Sequence, residues 1–343
     1  MKLSQAKNIL KASIDSQLNN IGEDKDSSRP IPYLIGGPGL GKTTIVKELS
    51  RELEIQCKVV SLAQYDAGEL AGWLISDNDS MKRLRPDWMP KYGEGILFFD
   101  ELPQAPVSNQ NISAQIINER RIGEHKLPDG WAIVCAGNRL SDRAGTNNMP
   151  THVKDRLMFL EIEADLEDFM KYGSERRFVP EIMAFLRFRP EFLHKFDRDA
   201  DASPSPRSWE RVHTILSQWK LDKTDEMEAI NGQVGQSASA DFHGYKRVFD
   251  RCPDIDQLIN NPDTAMVPEE ANIAFAICAN LSSKMNKENG KNILRYLSRM
   301  DQQEYTAFTI KDAVNKNPEL KNAPFLQEAF SDGGILKTLA LFK

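Results

Sequence analysis

The stretch "YLIGGPGLGKTTIVKELS", residues 33–50, constrains the architecture more than any other part of the chain. An apolar run gives way to four glycines, Gly36, Gly37, Gly39 and Gly41, and a Lys42, Thr43, Thr44 step then opens an amphipathic stretch. The pattern is G-x-x-x-x-G-K-[ST], with Pro38 and Leu40 filling the remaining variable positions. Glycines at this spacing let successive backbone N–H groups curl around a phosphate, and the helix that follows adds its partial positive charge. Lys42 is placed to reach the β and γ phosphates and Thr43 to ligate Mg2+. A strand must precede such a loop and a helix must follow it.

The first half of the chain supplies the rest of a parallel sheet. Apolar, β-prone runs recur at "PYLIG", "CKVVSL", "GILFFD", "WAIVCAGN" and "RLMFLEIE", separated by segments of helical character. Near-continuous hydrophobicity is what a strand covered on both faces requires, so the expectation is an α/β domain with helices on either side. Leu3, Ala6, Leu10, Ile14 and Leu18 fall at helical spacing and predict a first helix, followed by the polar linker "EDKDSSRP". After Ile162 the strand-like runs stop and helical patterns take over. The expected organisation is a nucleotide-binding domain at 1–164, a helical lid at 165–222 and a helical, partner-binding region at 223–343. In the lid, Ser205 and Pro206 form an N-cap and first-turn pair before a helix whose apolar face would carry Trp209, Val212, Leu216 and Trp219.

A phosphate loop that hydrolyses needs a second carboxylate site on a neighbouring strand. "ILFFDEL" supplies one: Asp100 would hold the metal through its water shell, and Glu101 would orient or deprotonate the attacking water. A chain of 343 residues is too long for a single core, and a net charge of −6 argues against a protein that coats itself with nucleic acid. The four cysteines lack metal or framework spacing and read as reduced thiols, and the N-terminus lacks a signal-peptide apolar stretch. With no apolar run long enough to cross a membrane, the expectation is a cytoplasmic protein.

The ordered set "GGPGLGKTT", "ILFFDEL", "AGNRLSDRAG", "KDRLMFLEIE" and "SPRSWERV" resembles an AAA+ ATPase of the MoxR-like group, whose relatives commonly work beside proteins carrying von Willebrand factor A domains. "DWMPKYGEGILFFDELPQA" and "LPDGWAIVCAGN" are similar to that group as well. The resemblance implies a P-loop AAA+ sheet sandwiched by helices, a small all-α lid and an all-α C-terminal region. It implies ATP and Mg2+ as cofactors and a homo-oligomeric, hexameric ring that remodels a protein partner in a chaperone-like way. Asn138 matches sensor 1, an amide able to fix the lytic water. Arg207 matches sensor 2, a lid guanidinium for the γ-phosphate. Arg156 matches the arginine finger that acts on a neighbouring subunit's ATP, with Arg143 the alternative for that role. The competing reading is a nucleic-acid-associated or restriction-type ring motor, and a third is a nucleotide-gated scaffold with negligible turnover.

Other signals weaken on inspection. Asp197, Asp199 and Asp201 alternate as in a calcium loop, but Ala202 stands where the turn needs Gly and Ser208 where a bidentate Glu belongs. His125, His152, His194, His213 and His243 lack metal-ligand spacing. Arg120 and Arg121 read as a solvated helix end. Between Trp73 and Trp88, Lys82, Arg83 and Arg85 either face a substrate or make a solvated basic turn.

Overall fold

The computed structural model describes residues 1–19, 29–139, 142, 147–249 and 252–331. The chain divides into two compact units, Met1–Ala164 and Asp165–Lys343. Of the expected "EDKDSSRP" linker, only Arg29 and Pro30 lie within the described residues.

The first unit runs α1 (Leu3–Asn19), β1 (Ile31–Ile35), α2 (Lys42–Glu52), β2 (Gln56–Ser61), α3 (Ala67–Ala71), β3 (Leu74–Asp77), β4 (Ser80–Arg83), β5 (Gly95–Asp100), α4 (Val107–Glu119), β6 (Arg121–Ile122), β7 (His125–Lys126), β8 (Trp131–Gly137), α5 (Thr151–Lys154) and β9 (Leu157–Glu161). The five apolar runs are the strands of one parallel sheet, ordered β2-β5-β8-β1-β9. Strand periodicity explains their composition, because alternate residues serve opposite cores. Leu97, Phe99, Ile133 and Cys135 join Ile116, Ile117 and Leu70 on the face of α3 and α4. Ile96, Phe98, Val134 and Ala136 join Leu10, Ile14, Ile45 and Leu49 on the face of α1 and α2. The amphipathic N-terminal helix is where its spacing predicts, and it adds a polar tie: the buried Gln17 amide donates to the Ile133 carbonyl at 3.0 Å and accepts from the Ile133 N–H at 2.8 Å.

The segment after Trp73 is a hairpin, β3 paired antiparallel with β4, and it lies beside the second hairpin, β6 with β7. The two are pinned together. The Arg83 N–H donates to Glu124 at 3.0 Å, His125 Nε2 meets the Arg83 carbonyl at 2.7 Å, and the Arg83 guanidinium donates to the carbonyls of Ala71 and Gly72. Arg85 donates to the Pro90 carbonyl, and Lys82 pairs with Asp77. Arg83 and Arg85 are therefore spent on backbone rather than presented as a basic turn. The hairpin and its flanks expose several large apolar side chains, Trp73, Leu74, Ile75, Met81 and Leu84. Arg120 also differs from the expected solvated helix end. It is buried, and its guanidinium donates to the carbonyls of Pro128 and Trp131, tying the end of α4 to the start of β8. Arg121 is exposed and pairs with Glu119.

The second unit comprises α6 (Leu166–Glu175), α7 (Pro180–Phe188), α8 (Pro206–Gln218), α9 (Lys223–Phe249), α10 (Ile255–Asn260), α11 (Ala271–Lys284), α12 (Gly290–Leu297), α13 (Gln303–Lys316) and α14 (Pro324–Ser331), with no strand among the described residues. Helix α8 starts as its sequence requires: Ser205 Oγ accepts from the Ser208 N–H at 3.1 Å and Pro206 fills the first turn. Trp209, Val212 and Ile215 are buried, and the Trp209 indole donates to the Phe192 carbonyl at 2.7 Å. Trp219 does not join that face. The helix ends at Gln218, and the indole is 55% exposed at the C-cap.

Two carboxylates knit this unit. Asp312 on α13, only 1% exposed, accepts from Ser174 on α6 at 2.6 Å, from Ser282 on α11, and from Lys316 at 2.8 Å. Glu167 on α6 takes Arg187 of α7 at 3.2 Å and Lys311 of α13, while the Arg187 guanidinium lies 4.0 Å over the Phe308 ring. Burial works to raise the Asp312 pKa, but Lys316 and the two serine hydroxyls outweigh it and hold the carboxyl below its ordinary range. Glu167 is lowered too, burial again being overridden, here by Lys311 and Arg187. A depressed carboxylate stabilises the fold above its unfolded pKa, about 4, and that contribution disappears as pH falls through the folded value. Stability of this unit is therefore expected to hold down to about pH 5 and to fall steeply below about pH 4. Asp312→Asn should cost about 3 kcal/mol at neutral pH and flatten that acid limb, as checked by urea titrations of both proteins across pH.

Candidate active site

The site lies along the carboxyl ends of the parallel strands, where open α/β sheets bind ligands, with the start of α2 beside them. Loop 36–41 leaves β1, Ser61 ends β2, Asp100 ends β5, and Asn138 follows β8. Register brings them into line: Ser61 lies opposite Asp100, and Ile35 opposite Gly137. The Gly36 N–H continues the β1–β8 ladder to the Gly137 carbonyl at 3.4 Å.

The glycines are there for two reasons. Gly39 and Gly41 have φ of +77° and +88°, a region side chains resist. Gly36 and Gly137 allow close approach, since a Cβ on Gly36 would come 2.6 Å from the Ile162 carbonyl oxygen and one on Gly137 would come 2.2 Å from the Pro103 ring. Gly41 caps α2 in the left-handed conformation, so the first N–H groups of α2 remain without side-chain caps. That is the donor set an anion needs.

Lys42, the first residue of α2, is buried, and its ammonium donates to the carbonyls of Gly36 and Gly37 at 2.7 and 2.8 Å and to Asn138 Oδ1 at 3.0 Å. The loop thus closes on its own cation, and the same cation touches the residue matched to sensor 1. Thr43 Oγ1 donates to Asp100 Oδ2 at 2.6 Å, and the other Asp100 oxygen accepts from the Glu101 N–H at 2.9 Å. A hydroxyl beside a carboxylate is a hard-oxygen pair that suits Mg2+. Thr44, one step on, is exposed.

Glu101 adopts φ 57° and ψ 32°, a left-handed conformation that costs a non-glycine residue about 1 kcal/mol or more. The strained turn lies between a strand and a short helical turn at Leu102–Gln104. Its carboxylate accepts a hydrogen bond from Ser61 Oγ. Ser61 is the site residue that the sequence reading missed. Its signal was a hydroxyl closing a β-prone run, which gains meaning only once β2 is known to be in register with β5.

The remaining assignments are spread over the chain. Arg156 immediately precedes β9; its side chain is exposed and makes no hydrogen bond or ion pair with any described residue. Arg207, in the first turn of α8, is likewise exposed and without a described side-chain partner. Arg143 lies outside the described residues. Among the described residues there is no group of three or more His, Cys, Asp or Glu that could hold a metal ion. No helix among them is long and apolar enough to cross a membrane.

Residues 32–150 match the family described as "ATPase family associated with various cellular activities (AAA)". The chain therefore carries an AAA-type ATP-hydrolysing domain, and the α/β P-loop architecture above is that of the fold. No curated protein sequence matches significantly. Among solved structures, the Thermotoga maritima RuvB Holliday junction branch migration motor is 14% identical with a TM-score of 0.39 over 82% of each chain. Brucella abortus NtrX in complex with ATP is 14% identical with a TM-score of 0.38, over 99% of this chain and 69% of that one. Superposition at this level is too loose to bear on function.

Lys42 gives the first test. Bound nucleotide at about 100 times its Kd should stabilise the protein by about 2.7 kcal/mol. Lys42→Met is expected to keep the unliganded melting temperature within a few degrees and to abolish the rise that ATP produces in the wild type, as read by thermal denaturation.

Proposed function

We propose that the AAA-type ATPase domain of this chain hydrolyses Mg2+-bound ATP at the subunit interfaces of a homo-oligomeric ring, and that the cycle remodels a protein partner. The observation that carries this reading is the convergence of Lys42, Asn138, Thr43, Asp100, Glu101 and Ser61 at one edge of the sheet. The loop and first turn at Gly36 to Thr44 wrap the phosphates, with backbone N–H groups from Gly39 onward as donors. Lys42 exchanges carbonyl partners for phosphate oxygens, which draws it from Asn138 and frees that amide for the lytic water. Mg2+ would be held by Thr43 and Asp100 and would supply charge neutralisation at the phosphates. Glu101 orients or deprotonates water after leaving Ser61. Arg207 serves as the γ-phosphate sensor, and Arg156, exposed and without a side-chain partner among the described residues, serves the ATP of the next subunit.

A protein client is favoured over nucleic acid by the exposed face of the β3–β4 hairpin. Trp73, Leu74, Ile75 and Met81 are exposed on a hairpin whose lysine is paired to Asp77, which suits apolar polypeptide better than a phosphate backbone. The net charge of −6 points the same way. Similarity to the MoxR-like group makes a partner with a von Willebrand factor A domain the first to try, and ATPase stimulation by DNA of tenfold or more would instead support the motor reading.

Turnover measurements test the roles. Glu101→Gln should retain ATP binding and lose at least about 100-fold in turnover. Ser61→Ala releases a hydrogen bond of about 1 kcal/mol and should raise basal turnover up to about fivefold without changing nucleotide affinity. Arg156→Ala should lose about 1,000-fold in turnover with its own nucleotide affinity intact. Mixing it with Lys42→Ala should restore activity at interfaces that combine an intact Lys42 with an intact Arg156, and no recovery in verified mixed assemblies would remove Arg156 from the role.

A further inference from the structure

Helix α9 is one continuous element only nominally. Gly235 sits inside it at φ 78° and ψ 162°, a conformation open to glycine alone. The chain folds back there: Lys246 pairs with Glu226 at 2.6 Å and Ser239 Oγ reaches the Met227 carbonyl at 3.5 Å. Residues 20 apart in a straight helix would be about 30 Å apart. Both halves pack on α8, since Arg211 donates to Gln233 on the first half at 3.5 Å and the Trp209 ring meets Phe242 on the second at 5.6 Å.

The reversal is also the socket for the segment that leads into α8. A Cβ on Gly235 would stand 2.6 Å from the Ala202 carbonyl oxygen, a backbone atom that no rotamer change can move. From Ala202 the chain passes through Ser203, whose carbonyl accepts from Ser208 Oγ at 3.2 Å, and Pro204, whose carbonyl accepts from the Lys195 N–H at 3.1 Å, to the Ser205 cap and Arg207. Because the Arg207 side chain is exposed and grips no described residue, the backbone of this first turn alone sets where its guanidinium starts from.

We propose that Gly235 is a positioning residue for Arg207: the glycine-only reversal of α9 seats Ala202 and so fixes the first turn of α8 from which Arg207 reaches the γ-phosphate. This inference rests on the reading of Arg207 as the phosphate sensor. A methyl at 235 pushes either the α9 reversal or the 202–205 segment outward, and the second carries Arg207 with it. Displacements of about 1 Å in such a group cost up to about 100-fold in rate.

A double-mutant cycle separates the possibilities. Steady-state ATPase parameters are measured for the full-length wild type, Gly235→Ala, Arg207→Ala and the double variant, with melting temperature alongside. Gly232→Ala is the control, because its Cβ would meet nothing within 4 Å. Gly235→Ala is expected to lower kcat/KM about tenfold. Arg207→Ala should lower it at least as much, the double variant no further, and Gly232→Ala should match the wild type. An equal fall from Gly235→Ala in both backgrounds, or a folded Gly235→Ala protein with full activity, overturns the positioning role while leaving Arg207 as sensor. An Arg207→Ala protein with wild-type kinetics overturns the sensor reading, and the inference with it. Should Gly235→Ala not fold, Ser208→Ala loosens the same turn through its bonds to Ser203 and Ser205. It must then show the same non-additivity with Arg207→Ala, and strict additivity sinks the proposal.

Discussion

The ammonium of Lys42 is the charge around which the active end of the sheet is organised. It draws in the carbonyls of Gly36 and Gly37 and the amide oxygen of Asn138, so the loop after β1 and the end of β8 are held by one group. The sheet order makes this possible. Placing β1 beside β8, with β5 and then β2 beyond, sets the carboxyl ends of all four strands side by side. Thr43, one residue further into α2, then reaches Asp100 across that edge, and Ser61 reaches Glu101. A binding site built in this way already has its donors aimed. On the function proposed, nucleotide would displace Lys42 from carbonyl oxygens, a small exchange of hydrogen bonds rather than a rearrangement of the fold.

The strain at Glu101 fits the same economy. Its left-handed backbone puts a sharp turn between a buried strand and the short helical turn that follows, and Asp100 compensates by accepting the Glu101 N–H. Two adjacent carboxylates are thereby given separate partners, Thr43 for one and Ser61 for the other. Each carboxylate has one hydroxyl partner, with the Glu101 N–H added at Asp100, and a single hydroxyl bond is weak enough to yield to a phosphate or a water.

Much of the fold and site was legible because both depend on local pattern. Buried parallel strands must be apolar along their whole length, and "GILFFD" and "WAIVCAGN" are; a phosphate loop must have glycines where φ is positive, and Gly39 and Gly41 do. What was hidden depends on tertiary neighbours. Ser61 matters only through its register with β5. Arg120 follows a helix end and reads as solvated, yet its guanidinium turns back onto two carbonyls. Trp219 keeps the helical spacing of Trp209 and Val212, but α8 stops one residue short of it. The reversal at Gly235 is masked because glycines at 232 and 244 sit in the same helix for no comparable reason.

The arginines make the division between fold and function explicit. Arg83, Arg85 and Arg120 donate to backbone carbonyls, Arg139 pairs with Glu161, and Arg187 is buried against Glu167 and the Phe308 ring. Removing Arg83, Arg85, Arg120 or Arg187 would strand oxygens or a carboxylate that the fold has already committed. Arg156 and Arg207 are different, since each occupies the entry to a regular element and each leaves its guanidinium in solvent. A cation on the surface costs the fold little and contributes little to it. Its energetic worth appears only where water is excluded and an anion is presented, as at a developing phosphoryl charge. These two side chains therefore have the property that a sensor and a finger require: they are free to be drawn onto a phosphate without dismantling anything that holds the protein together.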